Sequence, residues 1–114
     1  LEMKTYGRDL TTGVQLEMII DAALVRRALK EPVMAIVEAV IRGLERTSPE
    51  LAEDIYRKGV YLAGGGSLLA GLAERLSLET GLPFIRTTDP LTAIVRGSGK
   101  VIENFKQFKH VCIA

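Results

Sequence analysis

Residues 60–72, "VYLAGGGSLLAGL", set a short apolar run against three consecutive glycines and then resume an apolar pattern. Glycine loses more conformational entropy on folding than any other residue, so a triplet belongs where backbone turns through positive φ or lies close against something. "VYLAG" is too short for a helix and suits a buried strand. Beyond the glycines, Leu68, Leu69, Leu72 and Leu76 recur at helical spacing, Glu74, Arg75 and Glu79 face away, and Gly81 ends the run. The stretch therefore reads as strand, glycine turn, helix.

Downstream, "PFIRTT" at 83–88 is a second short strand, and Asp89-Pro90 is expected to cap a last helix through "LTAIVRGSGKVIENF", with Gly97 and Gly99 inside it. Two strands joined by a helix call for a parallel pair with a right-handed crossover, which places the chain in the α/β class. Upstream, residues 3–10 and 14–20 are partly alternating and separated by Thr11-Thr12-Gly13, the pattern of a hairpin. Asp21 is a candidate N-cap for "AALVRRAL", and Glu31-Pro32 restarts a helix, so two helices meet there or one bends. Val33, Ile36, Val37, Val40, Ile41 and Leu44 share a core-facing stripe, with Glu38 and Arg42 opposite. Ser48-Pro49 opens a further helix, "PELAEDIYRK", which Gly59 is expected to close in the left-handed conformation.

Composition limits the function. The 114 residues carry 47% hydrophobic and 25% charged residues, enough for one globular domain with a real core. Fifteen basic and fourteen acidic residues are interspersed, leaving +1 and no basic stripe, which disfavours nucleic acid as a partner. The single cysteine, Cys112, excludes an internal disulfide and fits a reducing compartment, so cytoplasm is expected. No apolar run approaches a membrane span. Because the sequence opens with Leu1 rather than Met, it is expected to be a piece of a longer protein.

Catalytic motifs are absent. A dinucleotide fingerprint starting at Gly64 fails at its sixth position, Leu69. "GSGK" at 97–100 lies in a helical pattern, lacks the upstream glycine of a phosphate-binding loop and is followed by Val101. His110 and Cys112 fall in a tail, residues 106–114, expected to fray, and two ligands alone make no metal site. Asp9, Asp21 and Asp89 are explained as a turn residue and two caps, and Glu38 and Glu45 as solvated positions. The informative site is the corner Gly64, Gly65, Gly66 and Ser67, at the carboxyl end of a strand where open α/β sheets bind ligands. Free N–H groups of Ser67, Leu68 and Leu69, starting the next helix, would favour an anionic group. A tight corner with no ligand satisfies the spacing equally well.

The run from Glu31 through "GGGSLL", "ETGLPF" and "DPLTAIVRGSGK" closely resembles the C-terminal part of the MreB family, the bacterial actin homologues that determine rod shape, and "YGRDLTTG" resembles the family's upstream hairpin. The likeness covers about residues 6–104. It implies part of an actin-like ATPase lobe built on a ribonuclease-H-like sheet. Residues 1–20 would be a hairpin from the end of the small subdomain, and residues 21–105 the C-terminal half of the nucleotide-binding lobe. It also implies ATP as cofactor, with Gly64, Gly65, Gly66 and Ser67 against the adenosine and with Mg and phosphates held mainly by regions absent here. The family's two phosphate-binding hairpins and its water-positioning carboxylate are missing, so the resemblance assigns no hydrolysis to this chain alone. Self-association into filaments, wall-synthesis machinery as partners and a place at the inner face of the membrane follow as expectations. Ala63 stands where the family usually has a hydroxyl residue, and Val14-Gln15 replaces its usual proline-containing turn. Other ATPases of the superfamily, such as sugar-kinase-like or chaperone-like members, and a non-catalytic module that kept the fold remain alternatives.

Overall fold

The computed structural model describes residues 1–112. The chain divides into two compact units, Leu1–Ala39 and Val40–Ala114. In the first, β1 (Glu2–Arg8) and β2 (Gln15–Asp21) form the expected antiparallel hairpin, with Met3 opposite Ile20, Thr5 opposite Met18 and Gly7 opposite Leu16. Lys4 and Glu17 pair on the other face at 2.8 Å. The strands stop one or two residues short of the expected turn because Asp9 organises it. The Asp9 carboxylate accepts the N–H groups of Thr11 and Thr12 at 2.7 and 3.0 Å, and the Gly13 N–H, at φ +71°, reaches the Asp9 carbonyl at 2.8 Å.

Helix α1 (Ala22–Glu45) starts as expected, with the Asp21 carboxylate accepting the Leu24 N–H at 2.6 Å. It runs through Pro32 as a single element of 24 residues, so of the two expectations, two helices meeting there or one that bends, the first is set aside. Proline removes one donor, but more than two helical turns on each side keep the remaining ladder in place. Val37 is buried, and Val33, Met34, Val40, Ile41 and Leu44 are half-buried. Ile36 is 43% exposed and falls outside the stripe, while Met34 takes its place. The positions 33, 34, 37, 40, 41 and 44 keep the i, i+3, i+4 period of one face.

In the second unit, α2 (Pro49–Lys58) has proline in its first turn and exposed i,i+4 pairs, Glu53–Arg57 at 3.3 Å and Asp54–Lys58 at 3.2 Å. Gly59 closes it by donating to the Ile55 carbonyl at 2.8 Å, but with φ +80° and ψ −175° rather than the left-handed helical geometry expected. The chain is thereby extended directly into a strand. β3 (Val60–Leu62) and β4 (Phe84–Arg86) are parallel and in register, Val60 with Phe84, Tyr61 with Ile85 and Leu62 with Arg86.

The crossover helix α3 (Leu72–Thr80) ends at Gly81, left-handed at φ +71°, and buries Leu72 and Leu76 beside Phe84 of β4. The Ser77 hydroxyl ties helix to strand by accepting the Phe84 N–H at 3.1 Å. α4 (Ala93–Glu103) contains Gly97 and Gly99 and the "GSGK" sequence, as expected. It begins three residues past Pro90. Thr92 flanks it, and Asp89 accepts the Thr92 hydroxyl at 2.5 Å instead of capping the helix backbone. The tail, expected to fray, takes helical form through Val111, as α5 (Phe105–Phe108) and a single 3-10 turn at Lys109–Val111. The last two tail positions lie outside the described residues.

Candidate functional site

The parallel pairing aligns the carboxyl ends of β3 and β4, so the glycine corner and the loop at 87–92 emerge at the same edge. They are joined there by a hydrogen bond from the Gly64 N–H to the Pro90 carbonyl, at 2.7 Å. Gly64 has φ +83° and ψ 167°, a region open essentially to glycine alone. The chain then forms one 3-10 turn, Gly65–Leu68, rather than entering a helix.

That turn revises the sequence reading of the corner. The N–H of Ser67 donates to the Gly64 carbonyl at 3.2 Å and the N–H of Leu69 to the Gly66 carbonyl at 3.2 Å. Neither is free to meet an anion, and a four-residue turn carries no helix dipole of consequence. The Ser67 side chain is buried, and its hydroxyl donates to the Gly64 carbonyl at 2.7 Å. Leu68 and Leu69 are 47% and 38% exposed and do not continue the stripe of Leu72 and Leu76. Gly71, left-handed at φ +83°, resets the phase, and α3 starts only after it.

What the corner offers instead is bare backbone. A Cβ on Gly64 or Gly66 would meet nothing within 4 Å, and one on Gly65 would touch only the Leu91 Cδ2, at an ordinary 3.4 Å. Positive φ accounts for Gly64. Neither backbone angle nor crowding within the chain accounts for glycine at 65 and 66: a Cβ at 65 would make one ordinary contact and one at 66 would project into open space. No ionisable group belongs to Gly64–Ser67, so the corner is suited to contact a flat or apolar group and not to acid–base chemistry. Beside it, a cleft of about 500 Å³ is lined by Ser67, Leu69, Gly71, Glu74, Phe84 and Arg86.

All four residues singled out in the sequence thus stand together, with Gly64, Gly65 and Gly66 as an open backbone surface and Ser67 as its internal brace. The sequence reading missed Pro90 and Leu91. Their signal was the position of "DPLT" directly after the second parallel strand, where the loop must return to the first strand's glycine turn. His110 and Cys112 stay within their own tail, the His110 Nδ1 3.1 Å from the Gln107 carbonyl and the Cys112 thiol 3.8 Å from the Phe108 carbonyl. Among the described residues, no group of three or more His, Cys, Asp or Glu could hold a metal, and no helix is long and apolar enough to cross a membrane.

The same sequence and fold recur in known proteins. The cell shape-determining protein MreB of Escherichia coli is 43% identical over 102 residues, covering 90% of this chain and 29% of the relative. The cell shape-determining protein Mbl of Bacillus subtilis is 37% identical over 103 residues, covering 90% and 31%. The crystal structure of MreB5 of Spiroplasma citri bound to ADP superposes with a TM-score of 0.85 at 31% identity, across 96% of this chain and 33% of that one. MreB5 has also been solved bound to AMPPNP. The chain therefore spans about a third of the length of these relatives. The family model for MreB/Mbl proteins matches residues 1–110, and the chain belongs to the MreB/Mbl family.

Proposed function

We propose that this chain is the part of a filament-forming, actin-like cell-shape protein that supplies the adenosine side of its ATP site. The observation that carries this is the glycine corner: Gly65 and Gly66 leave uncrowded backbone at the carboxyl edge of a parallel pair, where nucleotides bind in open α/β sheets. Gly64 turns the chain, Ser67 braces the turn, and Gly65 and Gly66 let the nucleoside approach main chain. MreB5, a family member of the same fold, binds ADP and AMPPNP, which supports a nucleotide as the ligand. With no ionisable group in the corner, its part is to bind and orient. The phosphates, the Mg and hydrolysis belong to regions outside this chain.

In this reading the protein polymerises with ATP at the inner face of the membrane and works with the wall-synthesis machinery. Photolabelling of the full-length protein with 8-azido-ATP tests the placement, because the azide sits on the adenine ring. Label is expected in the peptide containing residues 60–72, competed by ATP. Competed label that falls wholly elsewhere removes the glycine corner from the nucleotide site.

A further inference from the structure

On the α4 side of β4, a cleft of about 250 Å³ is lined by Thr87, Thr88, Asp89, Arg96, Gly97 and Lys100. Arg96 and Lys100 stand one turn apart on α4, the spacing that brings two side chains together on one helix face. Neither makes an ion pair or side-chain hydrogen bond among the described residues, unlike Lys4, Arg57, Lys58 and Arg75. Gly97, between them, leaves the space open, since a Cβ there would meet nothing within 4 Å. Thr87, one of the lining residues, has its Oγ1 buried without a hydrogen-bond partner among the described residues, which costs free energy unless something supplies one. The opposing charge is Asp89, whose carboxylate is already engaged by the Thr92 hydroxyl at 2.5 Å. Two cations against one carboxylate leave the cleft at +1, and it opens beside the first turn of α4, whose N–H groups add positive potential.

We propose that this cleft binds a phosphate oxyanion. Arg96 provides a planar fork, Lys100 a point charge, and the Thr87 hydroxyl a donor that gains its missing partner. The cleft shares the 87–92 loop with the glycine corner but is lined by none of Gly64, Gly65, Gly66 or Ser67, and the proposal does not depend on the nucleotide reading. Free phosphate and a lipid headgroup share this chemistry, and the test separates them.

The test uses full-length protein with saturating AMPPNP, which fills all three phosphate positions of a nucleotide site and keeps the probe out of it. Inorganic phosphate is titrated against chloride at equal ionic strength, read by calorimetry and by the shift in Tm. Phosphate-specific binding is expected, weakened about tenfold or more by Arg96→Gln and by Lys100→Gln singly, and weakened less by Arg96→Lys, which keeps the charge and loses the fork. Unchanged Tm in chloride shows that each variant is folded, and the two single variants back each other up. Co-sedimentation with phosphatidylglycerol vesicles, against phosphatidylcholine vesicles, forms the second arm. Vesicle binding that the same variants abolish, without free-phosphate binding, identifies a headgroup as the source. Absence of both phosphate and phosphatidylglycerol binding, or binding that the variants leave unchanged, overturns the proposal.

Discussion

Gly59 is the glycine with the least room for a side chain. Its φ of +80° is already costly for an L side chain, and a Cβ would sit 2.6 Å from the Pro83 carbonyl oxygen, a backbone atom that cannot swing aside. Gly59→Ala is expected to destabilise the fold by about 1–3 kcal/mol, read as a lower urea midpoint with unchanged slope. Asp9 acts through charge. Two backbone N–H groups, from Thr12 and Thr11, hold its carboxyl below the usual carboxylate range. A carboxylate whose folded pKa is depressed stabilises the fold above its unfolded pKa, and that contribution is lost as pH falls through the folded value. The Thr11 and Thr12 amides should therefore stay protected at neutral pH and loosen only under acid. Amide exchange at these two positions across an acid titration checks this, and loosening that begins near neutral pH would contradict it.

Among the elements, α1 tests how far tertiary context overrides a local breaker. Pro32 lacks the N–H that would bond the carbonyl of Ala28, yet the helix is continuous from Ala22 to Glu45. Pro32→Ala restores that bond and removes a penalty of about 3 kcal/mol, offset by about 1 kcal/mol of added freedom in the unfolded chain. A net gain of about 2 kcal/mol is expected in a thermal or urea titration, and a loss would mean that proline is favoured by local geometry. The hairpin, the Asp21 cap, the parallel pair and the glycine corner were legible in the sequence because their signals are local: alternation, a carboxylate before an apolar run, and glycine breakers. The rest depended on phase and competition. Leu68 and Leu69 match the helical spacing of Leu72 and Leu76 numerically, but the 3-10 turn and left-handed Gly71 break the helix between them. Asp89 sits where a cap belongs, but its carboxylate takes the Thr92 hydroxyl. Met34 rather than Ile36 joins the α1 stripe because both fit the period within one position, and burial decides between them.

At the scale of the whole molecule, little apolar side chain is buried: among the described residues Val37 and Leu76 are fully buried, and Leu72 and Phe84 nearly so. Among the described residues each of the two sheets has two strands, too few for independent stability without more packing. Met3, Leu16 and Met18 lie exposed on the hairpin, and Tyr61 and Ile85 lie exposed on the parallel pair. With relatives about three times as long, the remaining length is expected to cover these surfaces. The 114-residue chain alone should therefore melt broadly and self-associate through its open strand edges, seen in sedimentation over a hundredfold concentration range. A monodisperse monomer with a sharp transition would show that it closes its own edges. The central claim is that the glycine corner faces adenosine, and the most direct measurement is the ADP affinity of full-length Gly66→Val against the unaltered protein. A Cβ at position 66 meets nothing within 4 Å, so the fold should accept the substitution while a bound nucleoside should not. The account predicts ADP affinity at least about tenfold weaker, equivalent to about 1.4 kcal/mol, with little change in Tm without nucleotide. Unchanged ADP affinity in a folded Gly66→Val protein would contradict it.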